Sequence, residues 1–293
     1  MTPAILAALL LLAPRIAPTA PPDARPTIPV ARAYLPVAIG WPAAIPKTAT
    51  PRPTVQPLPP RPTPLIVRPG TYEELRRAVA VPGAYVVPQP GIYRPSRSLK
   101  LAAGVILDGA DQVTIIGKTV ELYKADGATV RRLTVRDAAG DGIRVSHTSA
   151  ALIEHVRVSG SGDGEIDIVE IREDAPAVVI VRDTVIGPAR KAMLIGDPDQ
   201  SQDARLSVVL ERVTFTDCIV RVPKVHWAFL EMRDSTIYNW SGPRIDAQLG
   251  ARIRLKGNAW IAGKDSLPGY YLPTGGTVED LGGNTYRPWR GAE

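Results

Sequence analysis

Six segments of the chain share one pattern of apolar and polar positions: Val130-Arg-Arg-Leu-Thr-Val, Ile153-Glu-His-Val-Arg-Val, Val181-Arg-Asp-Thr-Val-Ile, Leu210-Glu-Arg-Val-Thr-Phe, Met232-Arg-Asp-Ser-Thr-Ile and Leu255-Lys-Gly-Asn-Ala-Trp. In each, the first and sixth positions are apolar and the two after the first are mostly polar or charged. Their starts are separated by 23, 28, 29, 22 and 23 residues, the near-fixed period of a solenoid. Short runs rich in Val and Ile, bounded by Gly, Asp, Asn or Pro, read as strands. Two or three such strands per period, with almost no helix, predict an all-β fold: a right-handed parallel β-helix. Each strand then stacks on its equivalent one turn later, and the inward side chains build one continuous core. The two longer intervals predict loops inserted in the middle turns, and inserted loops on one face of a solenoid commonly form its binding site.

Ahead of the repeats, Thr71-Tyr72-Glu73-Glu74-Leu75 places a threonine N-cap three residues before a glutamate. That is the capping-box arrangement, and it predicts one short helix that plugs an end of the domain. Further upstream the pattern stops. Residues 1–70 hold 18 of the 30 prolines, and proline at this density cannot donate the hydrogen bonds of helix or sheet. The sequence therefore divides into a secretory signal peptide over 1–20, with an apolar run at Ala4–Ala13 too short to span a bilayer, a Pro-rich linker over 21–68, a β-helix over 69–262, and a tail over 263–293 that packs on or caps the helix. A secreted or cell-surface monomer without stable membrane insertion is expected.

Charge looks informative until it is located. The chain has a formal net charge of +6, from 35 bases and 29 acids, which by itself suggests an anionic partner such as nucleic acid. Seven of the bases and one acid fall in residues 1–70, leaving 28 of each in the remainder. The folded part is neutral, which argues against a nucleic-acid binder and leaves a locally charged cleft as the place for an anion. The single cysteine, Cys218, excludes an internal disulfide and reads as a small buried apolar residue.

Candidate chemistry lies in or beside the longer turns. Asp163 and Asp167 are four apart, and Asp141 sits one turn earlier in Gly140-Asp141-Gly142-Ile143-Arg144-Val145. Carboxylates from adjacent turns can converge on a groove, where hard oxygen donors suit Ca²⁺; Asp-Gly pairs are equally ordinary turn residues. Lys191 and, thirty residues later, Arg221 add cations that are either solvated surface charges or contacts for an acidic sugar.

Taken together, the stretch 141–240 resembles the pectate lyases of polysaccharide lyase family 1. The residues carrying the likeness are Gly-Asp141-Gly-Ile-Arg-Val, Leu152-Ile-Glu-His155, Asp163-Gly-Glu-Ile-Asp167-Ile, Lys191-Ala-Met-Leu-Ile-Gly, Arg221-Val-Pro-Lys224-Val-His226 and Tyr238-Asn-Trp240. The resemblance implies calcium-dependent β-elimination on polygalacturonate or pectate. It matches Asp141, Asp163 and Asp167 to calcium ligands, Lys191 to a substrate-carboxylate contact and Arg221 to the proton-abstracting base, with Lys224 and His226 as further substrate contacts. An arginine is a base only where neighbouring cations disfavour its charged form.

Three departures accompany the likeness: His226 stands where the family commonly has the second arginine of Arg-x-Pro-x-x-Arg, Ala139 replaces a further calcium ligand, and Leu152 replaces a tryptophan. They motivate an alternative, a surface polysaccharide-binding β-helix that has lost catalysis. A hydrolase on the same fold is disfavoured by the missing Asp and Gly-His-Gly cluster. His155 and His147 read as structural and turn residues, and Trp227, Trp240 and Trp260 as core or its immediate shell.

Overall fold

The computed structural model describes residues 66–172, 175–242, 245–266 and 271–289. The expected signal peptide and all but the last residues of the expected linker lie outside the described residues. From Ile66 onward the chain winds into a parallel β-solenoid. Its helical content among the described residues is Tyr72–Val79 and a 3₁₀ turn at Ser201–Arg205.

Three ladders of strands form the walls. In the first, the leading residues of the six sequence segments lie in register, Val130 beside Ile153, then Val181, Leu210, Met232 and Leu255. In the second, their sixth residues do the same, from Val135 through Val158, Ile186, Phe215 and Ile237 to Trp260. All twelve side chains are buried. Stacking like on like lets each apolar rung cover the next, so the core continues along the axis without a layer of its own. Trp240 and Trp260 are fully buried, Trp227 partly so.

The corner between these ladders is made by the third position of the pattern. Arg132, His155, Asp183, Arg212 and Asp234 all have φ of 51–53°, and Gly257 has 66°. One left-handed residue turns the chain from one ladder into the next while the flanking residues stay extended. Polar side chains suit this position because it projects into solvent.

The third ladder carries the candidate site. It runs through Leu99–Lys100, Val120–Tyr123, Ile143–Ser146, Gly164–Ile168, Ala189–Ile195, Lys224–His226, Ile245–Gln248 and Tyr271–Thr274, with Cys218–Val220 also paired to Ala189–Ile195. The helix begins at Thr71, whose side chain accepts from the Glu74 backbone N–H while Glu74 accepts in return from the Thr71 N–H. Its Leu75 and Val79 are fully buried in the common core, as the expected end plug requires. At the other end, Tyr271–Thr274, Thr277–Asp280 and Thr285–Arg287 add one more rung to each ladder. The segment expected to pack on or cap the helix thereby continues its winding.

Candidate functional site

Register brings the candidate residues together. Along the third ladder Ile143 pairs with Ile166, and Ile166 with Met193. Asp141 lies just before the first of these strands, Asp163 just before the second and Asp167 within it. Carboxylate oxygens of the three lie within 4.8 Å of one another. The loops that carry them are zipped by backbone hydrogen bonds, Gly162 N–H to Ala138 C=O, Asp163 N–H to Gly140 C=O and Gly142 N–H to Gly164 C=O. Glycine at 162 is required by this approach, since a Cβ there would lie 2.4 Å from the Ala139 carbonyl oxygen.

Lys191 pairs one rung beyond Gly164, which lets its ammonium reach Asp163 Oδ1 at 2.5 Å. Arg221 comes from the turn after that. It has φ of 60°, inside the third ladder and not at a corner, so the chain breaks between Cys218–Val220 and Lys224–His226. Pro223, which cannot donate to a ladder, is the sequence signal of that break. The guanidinium lies 3.5 Å from Asp167 Oδ2 and 3.9 Å from Asp163 Oδ1. All five residues placed in the reaction by sequence therefore meet on one face.

Their environments differ. Burial and the neighbouring Asp141 push the Asp167 carboxyl up to about 7, with Arg221 only partly opposing them. The Lys191 ammonium holds Asp163, half exposed, below the usual carboxylate range. Oxygens on opposite sides of a bound Ca²⁺ are separated by about twice its 2.3–2.6 Å ligand distance, and 4.8 Å falls in that span. Three hard carboxylate donors around a buried, under-compensated Asp167 fit a divalent cation.

Two residues of the expected substrate set are placed differently from each other. Lys224 is partly exposed on the outward side, with its ammonium 4.0 Å from Asp246. His226 shares that outward side but is 4% exposed, and its Nε2 lies 3.1 Å from Gln248 Oε1 on the next rung. Gln248 donates to Asp246, which also accepts from Thr274. Burial holds His226 below the ordinary imidazole value, so it stays neutral and enclosed.

Sequence reading passed over Arg144, which bonds Asp141 Oδ2 and Glu170 at 3.1 Å each. The available signal was register, since Arg144 lies beside Asp167 on the outward row. Cys218 is buried and its thiol is pushed up to about 12 by that burial, which removes it from the chemistry.

A parallel β-helix whose third ladder presents clustered carboxylates beside a lysine and an arginine defines the class of molecule. Solved structures give the particular likeness. Jun a 1, the major allergen of cedar pollen, matches with a TM-score of 0.58 at 14% identity, over 78% of this chain and 80% of its own. A pectate lyase from Bacillus sp. N165, in complex with trigalacturonate, matches at 0.56 and 15% over 76% and 82%. Pectate lyase II from Xanthomonas campestris matches at 0.53 and 16% over 79% and 82%. No protein-family model and no curated protein matches the sequence. The fold is that of the pectate lyases, as the sequence resemblance implied.

Proposed function

We propose that this protein is a calcium-dependent pectate lyase that cleaves polygalacturonate by β-elimination. The observation that carries the reading is the meeting of Asp141, Asp163 and Asp167 with Lys191 and Arg221 on one face, from four successive turns. Asp141, Asp163 and Asp167 would hold calcium, which would supply Lewis-acid polarisation of a uronate carboxylate and so make the adjacent C5 proton more acidic. Lys191 binds and orients that carboxylate. With Asp163 and Asp167 engaged by the cation and Lys191 nearby, the charged form of Arg221 would be disfavoured, and Arg221 as the neutral guanidine takes the proton from C5. The electrons of the C5–H bond then form the C4–C5 double bond, the C4–O bond breaks, and the departing oxygen takes up a proton from solvent water. Lys224 and His226 complete the substrate side, Lys224 through its partly exposed ammonium and His226 by bracing Gln248. Export through residues 1–20 and a spacer over 21–68 would place the enzyme at or beyond the cell surface, where such polymers are met.

The enclosure of neutral His226 at the family arginine's position favours a second reading, a β-helix that binds the polymer without cutting it. One experiment separates the two. Ultraviolet absorbance of the unsaturated product is followed on polygalacturonate with the full chain, with calcium, with chelator and with Arg221→Ala. The lyase predicts product that requires calcium and falls by a factor on the order of 10²–10⁴ in Arg221→Ala, the usual worth of a positioned base, with an unchanged circular dichroism spectrum. Calcium-dependent retention on polygalacturonate with no new chain ends would establish the binding protein instead.

A further inference from the structure

The three carboxylates are not equally well held. Asp141 Oδ1 accepts from the Gly164 N–H and Asp167 Oδ1 from the Leu194 N–H, both at 3.1 Å, so each is tied to a backbone donor of a neighbouring strand. Asp163 has no such tie among the hydrogen bonds of the described residues. Its side-chain partners are the ammonium of Lys191 and the guanidinium of Arg221, so the direction of its carboxylate depends on the path of the short loop Ser161-Gly162-Asp163-Gly164 that carries it.

Two residues on lies an acidic side chain with no evident job. Glu165 is fully buried, forms no ion pair among the described residues, and accepts from the Ser161 N–H at 3.0 Å and the Ser161 hydroxyl at 2.6 Å. A buried carboxylate without a cation is costly, and an apolar side chain would fill the same space. Its two bonds to Ser161 close the loop Ser161-Gly162-Asp163-Gly164 upon itself, with Asp163 at its middle, and the Gly160 backbone adds a further bond just ahead of that loop. The floor beneath is equally fixed: a Cβ on Gly142 would lie 2.8 Å from the Ser161 hydroxyl oxygen and 2.7 Å from the Glu165 carbonyl oxygen.

We infer that Glu165 is a positioning residue for the cation site, clamping the loop of Asp163 through Ser161 so that this otherwise loosely tethered carboxylate is presented to the ion. The inference rests on the calcium reading proposed above. Outer partners of this kind typically change metal affinity by about 10–100-fold when removed.

The test is calorimetric titration of the full chain with calcium alone, in the parent, Glu165→Ala, Asp163→Ala and the double variant, with thermal unfolding of each recorded. Glu165→Ala is expected to weaken calcium binding about tenfold. The double variant is expected to bind as Asp163→Ala does, because a residue that acts only through Asp163 has nothing left to position. Ser161→Ala, which deletes one of the two bonds, should show a smaller loss in the same direction, and it carries the test if Glu165→Ala fails to fold. Calcium affinity within twofold of the parent in Glu165→Ala, or in Ser161→Ala where that variant stands in, would overturn the inference while leaving the calcium reading intact, and so would losses that multiply in the double variant. A parent chain that takes up no calcium would overturn both.

Discussion

Single residues in this chain are held by charge as much as by packing, and Asp108 shows it best. It is fully buried, yet it accepts from Tyr85 at 2.8 Å, from Arg131 Nε at 3.0 Å, from Arg132 Nε at 2.8 Å and from the Ala110 N–H at 3.0 Å. Burial alone would push its carboxyl up; the bonds from Arg132, Tyr85 and Ala110 outweigh it and hold the group well below the usual range. The folded-state value is thus lower than the unfolded value of 3.8, so its stabilisation is complete above that pH and drains away as pH falls below it. Asp108→Asn should cost about 2–3 kcal/mol at pH 7 and should flatten the loss of stability between pH 7 and pH 3. Urea unfolding midpoints at the two pH values check both. An Asn variant that keeps the parent's full acid sensitivity would place that sensitivity elsewhere.

At the scale of the element, two neighbouring positions of one strand should respond in opposite directions. Ile153 is an inward rung, fully buried, and Ile153→Ala is expected to cost about 2–5 kcal/mol through lost burial and the cavity left behind. His155, two residues on, is the exposed left-handed corner. His155→Gly should be neutral or stabilise by up to about 1 kcal/mol, because glycine adopts this φ without penalty. Denaturant unfolding of both variants measures the pair. The same strand explains what could be read from sequence. The apolar first and sixth positions were legible because a parallel ladder buries them in every turn; the corner was not, because the second and third positions are both mostly polar and the sequence does not tell which of them turns the chain. Side-chain exposure on the third ladder was not. His226 has the outward parity that usually means solvent, but Gln248 of the following turn lies over it, and a contact between turns leaves no trace within either segment. Glu165 was hidden for the converse reason: its partner is four residues away, in a loop whose path only the stacked neighbour at 138–142 defines.

At the scale of the whole molecule, the second position of the repeat forms a row of alternating sign from Asp108 to Arg233, which ends where Lys256 stands beside Arg233. Asp108, Arg131, Glu154, Arg182, Glu211 and Arg233 occupy successive rungs. Arg131 lies 2.9 Å from Asp108 and 3.6 Å from Glu154, Arg182 2.5 Å from Glu154, and Arg233 3.3 Å from Glu211. Parallel stacking sets like positions about 4.8 Å apart, so any other order would place like charges in contact. Glu154→Lys creates three cations in a row, and its destabilisation should shrink as added salt screens the repulsion, the Debye length falling from about 10 Å at 0.1 M to about 3 Å at 1 M. Thermal unfolding of parent and variant at low and high salt tests this; a penalty independent of salt would assign the loss to packing instead.

The corner residues, the charged row and the ladders repeat turn by turn, but the reactive side chains do not: each of four successive turns donates a different part. Inserting one whole turn between Asp167 and Lys191, which now stand on adjacent rungs, would leave every ladder able to close, while carrying Lys191 and Arg221 about 4.8 Å along the axis away from the aspartates. The solenoid therefore works as a ratchet with a fixed pitch. Length can be added or lost in whole teeth at either end without touching the chemistry, whereas a single tooth gained or lost in the middle disassembles the site in a molecule that is otherwise perfectly folded.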